Sequence, residues 1–369
     1  MAKIALYLAG GGARGAYQAG VLKAISHILQ VKKLPFSVVS GVSVGSLNAA
    51  VIAQHADDFP AAIDKLDDLW RGIHCHNIFM TGNYQLSKSV MLNIGRILLT
   101  QRQNGYVLNT EPLHQFIDDH IDFARIKKHV DNQDLDCIEV ISHCYETQQT
   151  ISFCQQHKNQ FKKWPNDRHI NQHAEINKDH LLASSALPLF FQSVTINGLH
   201  YGDGSMGLIS PLRGAIRQGV EKILILGTRH LPMYNEHETL NNKDIGFAYI
   251  LGNMMNGLFL DNLDRDIDTV NHMNDIARLL SIWKKRSAPW RPIETMQLRP
   301  SQNVAQMAQT NYQAMPALLR FLLNALGAQS HSGDLLSFLL FEQVFTTELI
   351  ELGFRDTLSN SNAVADFFN

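Results

Sequence analysis

Near the start of the chain, two short apolar runs each end in glycine and lead straight into a helical pattern, which narrows the choice of fold. Lys3–Ala9 (KIALYLA) has the length and composition of a buried strand. Gly15–Gln30 follows, with Ala16, Ala19, Val21, Leu22, Ile25 and Leu29 at positions suited to a helix packed on a sheet. Phe36–Val39 begins a second strand that stops at Gly41, and Val44–Gln54 reads as a second helix. Strand–helix–strand–helix order predicts an α/β fold, layered as helices, a mainly parallel sheet and helices.

Further along, Asp136–Ser142 and Gln149–Cys154 read as strands of a hairpin, and Phe161–His173 as a basic and polar loop. Asp179–Leu187 is a short helix closed by Pro188. Asn197-Gly198 between Ser193–Ile196 and Leu199–Tyr201 is a two-residue hairpin signal. Glu221–Gly227 is another buried strand. After about His230 the pattern turns helical, over Ile245–Met273, Asp275–Lys284, Pro316–Leu326 and Asp334–Leu352. The expected division is a catalytic domain, 1–230, and a helical C-terminal extension, 231–369, acting as a lid or facing a membrane or partner. The polar tail after Leu358 is expected to fray.

Composition sets outer limits. A chain of 369 residues, 45% hydrophobic and 18% charged, has ample material for a core. Its formal charge of -2 argues against a molecule built around attraction to nucleic acid. The first acidic residue is Asp57, whereas Lys3, Arg14, Lys23, Lys32 and Lys33 precede it, a weak bias toward an anionic ligand or lipid surface. Cys75, Cys137, Cys144 and Cys154 form no CxxC pair and read as buried free thiols. The opening MAKIALYLAGGGARG reads as a first strand, not an export signal. Ile245–Leu260 is too short and too interrupted to span a bilayer, which takes about 20 apolar residues. The expected location is the cytoplasm, with peripheral contact at the inner membrane surface.

Three segments carry chemistry. Gly41-Val42-Ser43-Val44-Gly45 is a G-x-S-x-G pentapeptide with a strand before it and a helix after it. In that setting the serine sits on a strained turn with its hydroxyl projecting, and small neighbours let strand and helix approach. Gly10-Gly11-Gly12-Ala13-Arg14-Gly15 contains G-x-G-x-x-G, the dinucleotide-binding pattern. That reading needs an acid about 20 residues on for the ribose, and none precedes Asp57. The other reading is an oxyanion hole in which bare backbone N–H groups face a carbonyl oxygen gaining charge. Asp203-Gly204-Ser205 follows a strand-like run and can aim a carboxylate into a cleft, although Asp-Gly alone is a common turn.

GGGARG, GVSVG and DGS occur in the order and approximate spacing of the patatin-like phospholipases, lipid acyl-hydrolases with a Ser–Asp dyad. Ala183–Pro188 resembles the helix-to-proline block that the family carries between nucleophile and aspartate. The resemblance covers roughly residues 4–228, and Leu335–Asp356 is similar to C-terminal extensions of bacterial members. It implies the patatin-like fold, Ser43 as nucleophile and Asp203 as base, with Gly11, Gly12 and Ala13 holding the oxyanion. Gly10, Gly15, Gly41, Gly45 and Gly204 would support the turns, and Arg14 would steady the loop or attract a lipid phosphate. Ser205 departs from the family, which has Gly or Ala after Asp-Gly. An ordinary carboxylate, with a pKa near 4, is a weak base for a serine, so Asp203 needs burial to act.

The implied function is hydrolysis of fatty acyl esters of (lyso)phospholipids or related lipids, with no cofactor, metal or calcium. An acyltransferase or thioesterase using the same acyl-serine, and a catalytically silent lipid-binding protein, are the alternatives. None of the 17 histidines sits in a motif position, and His200, three residues before Asp203, is the one to inspect for a triad. His74-Cys75-His76 lacks the further ligands a zinc site needs. Trp283–Arg286 with Trp290-Arg291 suits either an anionic interface or a solvated loop, and Ile245–Leu260 either a lid or a core helix.

Overall fold

The computed structural model describes residues 2–81, 106–165, 168–231, 247–259, 261–279, 290–325 and 333–369. A nine-stranded sheet forms its middle layer, in the order β5-β4-β3-β2-β1-β8-β9, with β7 and β6 attached through β3. The strands are β1 Ile4–Leu8, β2 Val38–Val42, β3 Cys137–Cys144, β4 Gln149–Gln156, β5 His169–His173, β6 Val194–Ile196, β7 Leu199–Asp203, β8 Lys222–Leu226 and β9 Glu294–Leu298. Pairing is parallel for β2-β1-β8-β9, for β2 with β3 and for β4 with β5, and antiparallel where β3 meets β4 and β7 and where β6 meets β7.

Side-chain alternation shows why there are three layers. In β1, Ile4, Leu6 and Leu8 join a core with α1 (Ala16–Leu29), α2 (Val44–Ala53) and α3 (Phe59–Gly72). Ala5, Tyr7 and Ala9 point the other way, into a second core with Leu212 and Ala215 and with Leu263 and Val270 of the helix Asp261–Leu279. Both faces of the sheet are covered, so its strands read as continuous apolar runs. The Asn197-Gly198 turn has positive φ at both residues, 50° and 80°, as a tight β6–β7 hairpin requires.

Several elements differ from expectation. The polar 161–173 stretch ends in β5, whose Asn171 holds the Lys162 carbonyl and the Trp164 N–H, while His169 meets the Ser152 hydroxyl at 2.7 Å. Side-chain hydrogen bonds satisfy this polar strand, so it shows no apolar alternation. The tail does not fray: Ser361–Phe368 is a helix that buries Val364 and Phe367 and sets Phe368 edge-on to Phe36 at 5.7 Å. Ile245–Met273 and Asp275–Lys284 become Phe247–Phe259 and Asp261–Leu279; Trp283–Arg286 lie outside the described residues.

Among the described residues after 230 the regular elements are helices and one strand, β9, which lengthens the sheet beside β8. The helix Gln343–Ser359 lies along α1, and Gly353 approaches so closely that a Cβ there would stand 2.3 Å from the Tyr17 carbonyl oxygen. The expected continuous segment Asp334–Leu352 breaks at 340–342 into Gly333–Leu339 and Gln343–Ser359. Glu342 holds the break open, reaching His74 Nδ1 at 2.8 Å and the Cys75 N–H at 3.2 Å. None of the helices in the described residues is long and apolar enough to cross a membrane.

Candidate active site

β2 ends at Val42, paired with Ile141 of β3, and the chain turns at once into α2. Ser43 occupies that turn at φ 55°, ψ -130°, a backbone conformation costing a non-glycine residue about 1–3 kcal/mol. The strain is held by neighbours. Gly45 packs so near β1 that a Cβ would lie 2.1 Å from the Leu8 carbonyl oxygen, and a Cβ on Gly41 would meet the Gly45 oxygen. The Ser46 hydroxyl donates to the Ser43 carbonyl at 2.6 Å.

Beyond Ile141, β7 replaces β2 as the neighbour of β3. Its last residue, Asp203, pairs with Ser142, the next residue after the partner of Val42. The same edge of β3 thus brings together Ser43 and Asp203, 160 residues apart in the chain. Asp203 is fully buried, and its Oδ1 accepts the Ser205 N–H at 2.9 Å. Burial pushes the carboxyl up to about 6, against the opposing pull of the Ser43 hydroxyl and of the Ser205 N–H and hydroxyl. Its Oδ2 completes no well-aligned hydrogen bond, although the Ser43 hydroxyl is near enough to act on the carboxyl. Gly204 lies against the Ile141 carbonyl with no room for a Cβ.

The Ala183–Pro188 block connects the two. The Ser43 N–H donates to Ser184 Oγ at 2.9 Å, and that hydroxyl donates to the Ile141 carbonyl at 2.6 Å. The Asp203 N–H donates to the Ala186 carbonyl at 3.0 Å. The sequence marked the block only by resemblance; its two-sided bracing depends on contacts that no local pattern displays.

The glycine loop lies opposite. Gly12–Gly15 forms a single 3-10 turn, whose first N–H groups have no partner within the turn. Gly11 and Gly12 line the same pocket as Ser43, and a Cβ on Gly10 would stand 3.1 Å from the Ser43 Cβ and 3.0 Å from the Ser205 hydroxyl. Gly12 has φ +58°, and a Cβ there would fall 2.1 Å from the Phe338 carbonyl oxygen, so only glycine fits beneath the helix Gly333–Leu339. Two residues missed in the sequence hold the loop: Gln18 donates to the Ala9 and Leu226 carbonyls, and Thr228 to the Gly10 carbonyl. Ala13 and Gly15 are buried within the turn.

Arg14 turns away from the pocket and is 2% exposed. Its guanidinium bonds Ser337 at 2.8 Å, Asn256 at 3.2 Å and the Asp334 carboxylate at 3.1 Å, and stacks 4.3 Å over the Phe338 ring. Burial lowers its pKa to about 10, still well above neutrality. Its contacts tie the glycine loop to the C-terminal helix. Asn256, on the helix Phe247–Phe259, is buried in this cluster, while Met254 on the same helix is exposed.

The pocket in front of Ser43 is walled mainly by apolar side chains, including Val44, Leu47, Leu187, Phe191 and Phe338. No histidine lines it among the described residues. His200 is exposed on β7 and bonds Glu146 at 2.6 Å. His74 stacks on His76 and bonds Glu342.

The family model described as patatin-like phospholipase matches residues 6–216, which include the glycine loop, the serine turn and Asp203. A patatin-like phospholipase domain-containing protein of Caenorhabditis elegans, ZK370.4, is 35% identical over 89 residues, 21% of this chain and 6% of that protein. Lysophospholipase nte1 of Aspergillus terreus is 42% identical over 57 residues, 15% of this chain and 4% of that one. These matches span only a small part of those relatives' length. The crystal structure of VipD from Legionella pneumophila aligns with 98% of this chain and 67% of its own, at 12% identity and a TM-score of 0.44. With more than half of its length matched by the family model, the chain belongs to the patatin-like phospholipase family.

Proposed function

We propose that the protein is a serine acyl hydrolase that cleaves fatty acyl esters of (lyso)phospholipids or related lipids through a Ser43–Asp203 dyad. The observation that carries this reading is the meeting of a strained serine and a buried carboxyl, with one oxygen lacking a full hydrogen bond, at the end of an apolar pocket. Ser43 Oγ attacks the ester carbonyl carbon as its proton passes to Asp203 Oδ2. The N–H groups of the glycine loop then stabilise the oxyanion, each such donor contributing about 3 kcal/mol in the transition state. As the tetrahedral intermediate collapses, the alcohol leaves with the proton and the acyl group stays on Ser43. Water, deprotonated by Asp203, releases the fatty acid.

A carboxyl with a pKa of about 6 is a stronger base than a free aspartate and is still mostly ionised at pH 7. Burial thus supplies the basicity that a histidine provides in a triad. Purified protein assayed on phospholipid, lysophospholipid, triglyceride and acyl-thioester, with Ser43→Ala alongside, tests the proposal. The expected result is turnover of an ester and fluorophosphonate labelling in the wild type, both absent in Ser43→Ala, with an unchanged melting temperature. Turnover or labelling retained by Ser43→Ala would show the nucleophile to be wrong.

A further inference from the structure

Beside the pocket in front of Ser43 lies a second, narrow apolar cavity, and the two share the walls Val44, Leu47, Ile78 and Phe341. We infer that the two cavities form one acyl-chain channel running along α2, with the Phe341 ring as the constriction that sets how readily a long chain is accepted. This inference rests on the hydrolase reading for its orientation, since the carboxyl end of the chain must lie at Ser43.

Helix periodicity makes the channel continuous. Val44, Leu47, Asn48 and Val51 are spaced i, i+3, i+4 and i+7, so one face of α2 lines the route from the serine turn to the far cavity. Seven residues at 1.5 Å each span about 10 Å, the length of about eight carbon–carbon bonds in zigzag at bond lengths near 1.5 Å. The far cavity is closed by Leu69, Trp70, Ile73, Ile117 and Ile121. The polar groups among its walls are engaged elsewhere. Asn48 accepts from Trp70 Nε1 at 2.9 Å and donates to Gln18 at 2.8 Å, and His120 Nδ1 bonds the Phe116 carbonyl at 2.8 Å. Apolar walls of this kind suit an alkyl chain and offer little to a polar head group.

Phe341 is the one wall residue of both cavities that comes from the C-terminal region. It sits at the break between two helices, its ring nearly parallel to Trp70 (12°) at 6.3 Å and edge-on to Phe79 at 6.5 Å. Glu342, bonded to His74 and Cys75, holds its backbone in place. A small side chain at 341 widens the junction between the cavities, and a large one at Val51 or Leu69 fills the far one.

The test is kcat/KM for p-nitrophenyl esters from four to sixteen carbons, below their micellar concentrations, with each variant's folding checked by thermal melt. Each added methylene should raise the wild-type value about fourfold while the chain is still gaining burial. Val51→Phe should lower the ratio of twelve-carbon to four-carbon kcat/KM at least tenfold, and Phe341→Ala should move the optimum to longer chains. Leu69→Phe, at a partly exposed rim position, replaces Val51→Phe if that variant does not fold. A ratio unchanged in the folded variants overturns the channel while leaving the hydrolase intact. If the wild type hydrolyses no ester of any length, the hydrolase reading fails, and equilibrium dialysis with radiolabelled lauric acid decides the channel separately. Binding at least tenfold weaker in Val51→Phe or Leu69→Phe supports it; equal binding overturns it.

Discussion

At the scale of single residues the site is governed by the balance between burial and charge at Asp203. Its carboxyl titrates near 6 in the folded chain, against 3.8 for a free aspartate, because burial disfavours the charged form. The folded state therefore holds the proton more tightly. The stability linked to that proton is fully present below pH 3.8 and is lost as pH rises through about 6. At pH 7 the ionised group costs roughly two pKa units, or about 3 kcal/mol at most. Asp203→Asn should accordingly abolish hydrolysis while raising the melting temperature at pH 7 by a few degrees and leaving it little changed at pH 4. Wild-type kcat/KM should fall below pH 6 with a single acid limb, read from a pH–rate profile. Ser205, found where the family usually has Gly or Ala, lowers the carboxyl pKa through its N–H, which donates to Oδ1 at 2.9 Å, and through a nearby hydroxyl that completes no well-aligned hydrogen bond. Ser205→Ala keeps the N–H and loses the hydroxyl, so its acid limb should move above 6; an unmoved limb would remove the hydroxyl from this role. The sequence shows Ser43 and Asp203 as motif residues, but their basicity and mutual aim depend on burial.

At the scale of elements, the decisive event is the handover on β3 from β2 to β7, at Ile141 and Ser142. β1, β2 and β8 are legible as apolar runs that end at glycine, and the β6–β7 turn follows from Asn197-Gly198 alone. Which strand lies beside which is a non-local matter, and nothing in Leu199–Asp203 states that it pairs with β3. Ser184 ties the handover to the serine turn by accepting from the Ser43 N–H and donating to the Ile141 carbonyl. Ser184→Ala leaves a buried N–H and a buried carbonyl with one partner fewer, at a cost of about 1–3 kcal/mol. On the proposed mechanism it should also lower kcat on a short ester by between about ten- and a hundredfold, because Ser43 is no longer held in place. A melt and a single-turnover assay on the same preparation separate the two effects. β5 eluded the sequence for a different reason: a polar strand satisfied by side-chain hydrogen bonds has no alternation to read.

At the scale of the whole molecule, described residues beyond 230 pack against the elements that hold Ser43 and Asp203. They supply β9 to the sheet, the Gln343–Ser359 helix to α1, the Phe338 and Phe341 walls to the pocket, and the Asp334 and Ser337 partners to Arg14. Gly353→Val forces a side chain against the Tyr17 carbonyl across the α1 contact, an overpacking cost of about 3 kcal/mol. The expected outcome is one cooperative melt at a lower temperature, with ester hydrolysis lost on the same curve. A separate low-temperature transition that spares activity would instead make the C-terminal region an independent unit. Local chemistry along the chain was enough to specify an α/β class, a strained serine turn and a glycine loop, because glycine, strand and helix preferences act over a few residues. Pairing Ser43 with Asp203, burying Arg14 under the C-terminal helix and ordering the final helix all required contacts between segments far apart in sequence. Those choices are made by the packing of whole layers, where burial and close backbone approach outweigh any local preference.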